Sequence, residues 1–180
     1  MKERPILFST EMVKAILEGR KTQTRRIVKK QPHGAGEWAR QLASWLFPNV
    51  NPYIKLKCPY GQPGDRLWVR ETFLIEHSCH KNFYEYRADY SDTIALDVIW
   101  RPSIFMPREA CRLMLEVTDV RVERLQDITE EDAIAEGTVR IHRYKTMVWE
   151  YETLWESING KGSWDKNPWV WVIEFKKIEP

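Results

Sequence analysis

Hydrophobic positions along the chain change period several times, and each change marks an element. Pro5-Ile6-Leu7-Phe8 is a short apolar run that reads as a buried strand. Met12, Val13, Ile16 and Leu17 then recur at helical spacing, with Ser9 or Thr10 as N-cap, Glu11 in the first turn and Gly19 at the stop. After the Gly64-Asp65 turn, Leu67, Val69 and Glu71 alternate with Trp68 and Arg70, the period of a strand. Arg112 to Leu125 is the longest strand signal. Its apolar residues switch phase between Val117 and Val120, which predicts a bulge or corner.

Thr129, followed by Glu130, Glu131 and Asp132, opens the next helix with a Thr-x-x-Asp cap and acids in the first turn, and Glu136-Gly137 closes it. A longer helix is predicted from Tyr144 to Asn159, with Met147, Val148, Tyr151, Leu154, Trp155 and Ile158 on its apolar side. The last strand, Trp169 to Phe175, is apolar on both phases and so is covered on both sides. Two segments fit less well. Residues 29–60 hold a loop and a short stripe of Trp38, Leu42, Trp45 and Leu46, too small to bury itself, and residues 74–107 have little periodicity. The order predicts one α+β domain over residues 1–180, built on a bent, partly closed sheet with insertions near 29–60 and 74–107.

Composition narrows the class. The chain has 180 residues, 43% apolar and 30% charged, which suits a globular fold with a core. Its 28 Lys and Arg against 26 Asp and Glu leave a net +2, so any affinity for nucleic acid must be local. Three cysteines at unrelated positions, no leader pattern and no membrane-length apolar run point to a reducing cytoplasm and away from membranes. The nine tryptophans serve either as core or as stacking surfaces.

The densest chemistry is Gly19-Arg20-Lys21-Thr22-Gln23-Thr24-Arg25-Arg26, with four cations and two hydroxyls in eight residues. In a regular strand Lys21 and Thr24 face opposite ways, so they meet only if the backbone turns or bulges between them. As a plain alternative, the segment is a solvated basic strand. Trp68 beside Arg70 suits clamping of an anionic ring system, or equally a core tryptophan and an internally paired arginine. The Trp100-to-Arg108 loop either lines a pocket or is pinned to the core by Phe105 and Met106. His77, Cys79 and His80 lie close together but match no structural zinc spacing, and no metal is expected. Gly160-Lys161-Gly162-Ser163 lacks the frame of a phosphate-cradling loop. Glu136 is notable because a carboxylate at a helix C-terminus meets the negative dipole end. That disfavours its charge and suits a general acid or base, although an exposed glutamate without a role fits the same position.

Several of these pieces together resemble an ASCH domain, a branch of the PUA-like superfamily of small β-barrels. They are the early helix with Gly19-Arg20-Lys21-Thr22-Gln23-Thr24, the Gly64-Asp65 turn, Thr129-to-Gly137, and the closing Val172-Ile173-Glu174-Phe175 strand. The chain also resembles longer, tryptophan-rich members found in bacteriophages and prophages, including their Trp100-Arg101-Pro102-Ser103 loop. The resemblance implies a PUA-like small mixed β-barrel with flanking helices. It also implies an amidohydrolase that removes the acyl group from N(4)-acetylcytidine, with Lys21, Thr24 and Glu136 as catalytic residues and no cofactor. Substrate-binding roles then fall to Arg25, Arg26, Trp68, Arg70, Glu71, Trp100 and Arg108, and the partner is a nucleoside or RNA. Other members of this family are described as RNA-binding or ribonuclease-like. Two alternatives follow: a module that binds RNA or a modified nucleotide without turnover, and a metal-independent single-stranded ribonuclease.

Overall fold

The computed structural model describes residues 1–29, 31, 57–77, 82–91 and 98–179. Its strands are β1 (Glu3–Leu7), β2 (Gln23–Ile27), β3 (Arg66–Arg70), β4 (Phe73–His77), β5 (Asn82–Tyr86), β6 (Met114–Arg124) and β7 (Trp169–Ile178). Five of them form one sheet in the order β1-β3-β6-β7-β2. β1 and β3 are parallel, and the remaining neighbours are antiparallel. β4 and β5 make a separate antiparallel pair that begins at Phe73, at the start of the 74–107 segment. Between β1 and β2 lies α1 (Thr10–Leu17), capped by Ser9, whose hydroxyl accepts from the Met12 N–H. Gly19 follows in the left-handed region, as the sequence predicts. The predicted stripe from Trp38 to Leu46 lies outside the described residues, as do Cys79 and His80.

β7 is buried on both faces, as its two apolar phases predict. Trp171, Ile173 and Phe175 join Ile6, Phe8, Val13, Leu67 and Val69 in the main core. Val170 and Val172 face the other way and pack against α2 (Glu130–Ala135) and α3 (Met147–Asn159), with Tyr151, Trp155 and Trp164. The α3 helix starts later than the sequence suggests. Thr146 caps it through its hydroxyl, and Tyr144 lies outside and is exposed. Gly160 ends it.

The switch of phase in β6 is a bulge. Val117 pairs with Phe175 and Asp119 with Glu174, leaving Thr118 as the extra, exposed residue. Through it Leu113, Leu115 and Val117 on one side of the bulge and Val120 on the other all reach the same core. The Gly64-Asp65 turn docks at this point, where the Gly64 N–H donates to the Val117 carbonyl at 2.9 Å and the Val117 N–H donates to the Asp65 carbonyl at 2.9 Å.

Among the described residues no ladder joins β1 to β2, so the sheet is bent and open between its two edges rather than closed into a barrel. The Arg26 guanidinium bridges them by donating to the Leu7 carbonyl at 2.7 Å. No helix of the described residues is long and apolar enough to cross a membrane.

Deleting Thr118 alone removes the extra residue and leaves Val120 opposite Ile173, whereas deleting Thr118 and Asp119 together is expected to bring Val120 opposite Glu174 and turn it out of the core. In the two-residue deletion the cooperative thermal transition followed by circular dichroism should be lost or lowered by many degrees, and in the single deletion it should persist; the reverse order would contradict the pairing across the bulge.

Candidate functional site

The site forms where the edge strand β2 meets the C-terminus of α2. Lys21 lies just before β2 and makes an isolated bridge with Glu136. Next to it, the Thr22 N–H donates to the Ala135 carbonyl at 2.8 Å. The segment thus meets two elements in succession: Lys21 and Thr22 contact α2, the Thr22 carbonyl also accepts from the Phe175 N–H at 2.8 Å, and the ladder of β2 runs from Gln23. Thr24 pairs with Ile173 and Arg25 with Val172, so they take opposite faces of β2. Because β2 is an edge, both can border one cavity.

Lys21 Nζ donates to Glu136 Oε2 at 2.9 Å and to the Glu136 carbonyl at 2.7 Å. The two side chains are only 2% and 4% exposed, so this is a buried ion pair. A cation at the last carbonyls also opposes the negative end of the helix dipole. Burial lowers the Lys21 pKa from its usual 10.5; the Glu136 carboxylate opposes that shift, while Arg26 and Arg25 add to it. The ammonium lies 5.5 Å from the centre of the Phe8 ring.

Arg25 is engaged from three sides. Its guanidinium contacts Glu136 at 3.3 Å, Asp132 at 2.8 Å and Glu123 at 3.2 Å. With its charge satisfied this way, Arg25 holds the site together and is not free to hold an incoming anion. Gln23 donates to both the Asp132 carbonyl and its carboxylate at 3.0 Å. Burial works to raise the Asp132 pKa, but Gln23 and Arg25 hold it below 3.8. Asp132 also completes the capping box with Thr129 that the sequence predicts.

Lys21, Thr24, Arg25, Arg26 and Glu136 all line a cavity of about 400 Å³. Its aromatic walls come from Phe8, Tyr60, Tyr151 and Trp155. Burial raises the Tyr151 pKa well above 10.0, so it remains a neutral phenol. Met12, Leu154 and Ile158 add apolar surface, and Lys29 adds charge. Volume and lining suit a ligand of nucleoside size, with flat walls and a polar floor.

The other expected substrate contacts do not line this cavity. Trp68 and Arg70 are on β3, separated from β2 by β6 and β7 in the sheet. Glu71 is buried and accepts two 3.0 Å hydrogen bonds from Arg112, which fits an internal structural pair. Burial raises its pKa, against the pull of Arg112. Trp100 packs edge-on against Tyr90 at 5.3 Å. Arg108 pairs with Glu3 at 3.0 Å. Conversely, sequence reasoning missed Gln23, Glu123 and the cavity aromatics. Gln23 and Arg25 share a strand phase, which is the signal that a common partner stands opposite them.

Chemically, the arrangement offers a hydroxyl, an amine of lowered pKa and a carboxylate around one sheltered space. No family model and no curated protein matches the chain. Two solved structures are similar to it. One is an ASCH domain from Lactobacillus crispatus JV V101, at 13% identity and a TM-score of 0.47, covering 99% of this chain and 81% of the other. The second, from Enterococcus faecalis V583, is described by the family model DUF984, with 9% identity, a TM-score of 0.46 and coverage of 99% and 82%.

The charge pattern gives unequal costs of substitution. Glu136→Ala leaves Lys21 buried without its carboxylate and is expected to cost about 3–5 kcal/mol. Lys21→Met leaves Glu136 still paired with Arg25 and should cost less. Urea denaturation of both variants would read the order, and the reverse order would refute the assigned pairing. Gly137→Ala is a further probe. Gly137 has φ +81°, and an added Cβ would lie 2.9 Å from the Cβ atoms of Ala15 and Lys21. It should destabilise by about 1–3 kcal/mol.

Proposed function

We propose that the chain is an ASCH-domain amidohydrolase that removes an acyl group from the exocyclic amine of a cytosine nucleoside of the N(4)-acetylcytidine type. The observation that carries this reading is the 2.9 Å contact between buried Lys21 and Glu136 beside a cavity that Thr24 also lines. The motif Gly19-to-Thr24 and the helix Thr129-to-Glu136, which are far apart in sequence, supply these residues, and the resemblance names the same three.

In the proposed reaction, neutral Lys21 takes the Thr24 hydroxyl proton as the oxygen attacks the amide carbonyl carbon. The C–O bond forms and the carbonyl electrons move onto oxygen, giving a tetrahedral oxyanion near Arg26. Collapse of this intermediate breaks the C–N bond. The proton passes from the Lys21 ammonium through Glu136 to the leaving exocyclic nitrogen, releasing cytidine. Water then attacks the acyl–Thr24 ester with the same base, releasing the carboxylic acid and restoring the hydroxyl. The lowered Lys21 pKa supports the first step because it increases the neutral amine at moderate pH. Arg26 is favoured over Arg25 at the oxyanion because three carboxylates already engage Arg25.

The test is incubation with N(4)-acetylcytidine, with cytidine followed by chromatography. Lys21→Ala, Thr24→Ala and Glu136→Ala should each lower release by at least about 100-fold. Absence of release by the wild-type protein would sink the reading for this substrate, and release unaffected by all three changes would refute the site. Binding without turnover that survives Glu136→Gln would instead favour the binding-module alternative.

The pH profile offers a separate check. Activity needs neutral Lys21, so kcat/KM should rise with pH along a limb below 10.5. Arg26 helps to lower that pKa, so Arg26→Gln should move the limb to higher pH. A limb that stays in place would separate Lys21 titration from the rate.

A further inference from the structure

One wall of the cavity carries a polar group that the fold leaves unused. Trp155 lines the cavity and is only 4% exposed. Its indole N–H is buried and has no hydrogen-bond partner among the described residues. An indole has that one polar atom, and it can only donate. Folded chains pair nearly all such groups, so an unpaired one calls for a reason. The ring is held in place: it packs with Val170 and Val172 of β7 and against the Tyr151 ring, 6.2 Å away between centres. The other buried polar atoms on the cavity wall without a partner are Arg25 Nε and Arg26 Nε. All three are N–H donors, so a ligand that answers them presents acceptors. The two arginines already bond through their other nitrogens, whereas Trp155 has no second atom to use.

We propose that Trp155 reads the base in this cavity, its indole N–H donating to the unprotonated ring nitrogen N3 of a cytosine. This rests on reading the cavity as a nucleoside site. Its aromatic walls take a planar ring, and cytosine presents two neighbouring acceptors, N3 and O2. N3 is the one that separates it from uracil, whose N3 carries hydrogen and would set donor against donor. Tyr151 stands one turn before Trp155 on α3 and lines the same cavity as a neutral phenol. Its hydroxyl can donate to O2. Both pyrimidines carry O2, so Tyr151 positions either one and the choice falls to the indole. Acylation of the exocyclic amine leaves N3 an acceptor, and the same contact serves substrate and product. A site built around such a bond rejects a base that lacks it, because the buried donor is left unpaired.

Calorimetric titration of the protein with cytidine, 3-deazacytidine and uridine reads the contact without any turnover. In 3-deazacytidine a C–H replaces N3 and O2 is kept. The wild-type protein should bind cytidine about tenfold more tightly than either analogue. Trp155→Phe keeps an aromatic ring and removes the donor. It should weaken cytidine binding about tenfold and bring the three affinities together. Tyr151→Phe should weaken all three ligands by a similar factor and keep the preference. A mere packing defect at Trp155 would also weaken all three alike, so convergence of the affinities is the signature of recognition.

A preference for cytidine that Trp155→Phe retains would overturn the assignment. So would a wild-type protein that binds cytidine and 3-deazacytidine equally or binds neither, a comparison that needs no variant to fold. If N(4)-acetylcytidine is not hydrolysed but the preference is present and is lost in Trp155→Phe, the assignment stands and the amidohydrolase reading fails. Hydrolysis by a protein without the preference leaves that reading standing and overturns the assignment.

Discussion

The buried contact between Lys21 and Glu136 is the constraint on which the site depends. Two charges removed from water are costly to hold unless each is fully engaged. Lys21 meets this through the carboxylate and the carbonyl of one residue, and Glu136 meets it through Lys21 and Arg25. The same junction solves two backbone problems. β2 is the edge of the sheet, and its approach is covered by α2 through the Thr22-to-Ala135 hydrogen bond. The end of α2 leaves carbonyls needing donors, and the Lys21 side chain supplies one. Edge, helix end and buried amine are thus stabilised by one contact.

Around it, charge is ordered in layers. Arg25 engages Glu123, Asp132 and Glu136, and Arg121 reaches Glu123, Asp132 and Glu174 from the solvent side. Shared carboxylates couple the two arginines, so neither can move without disturbing the other. That stiffness supports the proposed reaction, in which small displacements of a nucleophile and its base carry a large cost in rate. Arg26, on the other phase of β2, is left to face the cavity.

Much of the frame is legible in the sequence because local rules determine it. The Ser9 and Thr129 caps, the two buried phases of β7 and the phase switch at Thr118 follow from short-range pattern. Glu136 stands out for its place at a helix end. Asp132 is legible as a cap residue, yet that reading conceals its second role with Arg25 and Gln23, which only tertiary contact reveals. Residue type alone associates Trp68 and Arg70 with the basic segment. Sheet order separates them from β2, and the cavity draws its aromatic walls from Phe8, Tyr60, Tyr151 and Trp155 instead. Those four come from widely spaced positions, so no window of sequence displays them together.

Lys21 meets Glu136 while Gln23 meets Asp132, so a step of two residues along one segment is matched to a step of four along the other. Two steps of extended chain span about 6.6 Å, and four of helix about 6.0 Å. The two elements are nearly commensurate over this one turn, and they run in opposite directions. They act as a ruler: only a helix that ends four residues after Asp132 brings a carboxylate to the amine while its first turn still holds Gln23. The shortness of α2, a bare six residues, is then a matched length and sets where the proposed chemistry can occur.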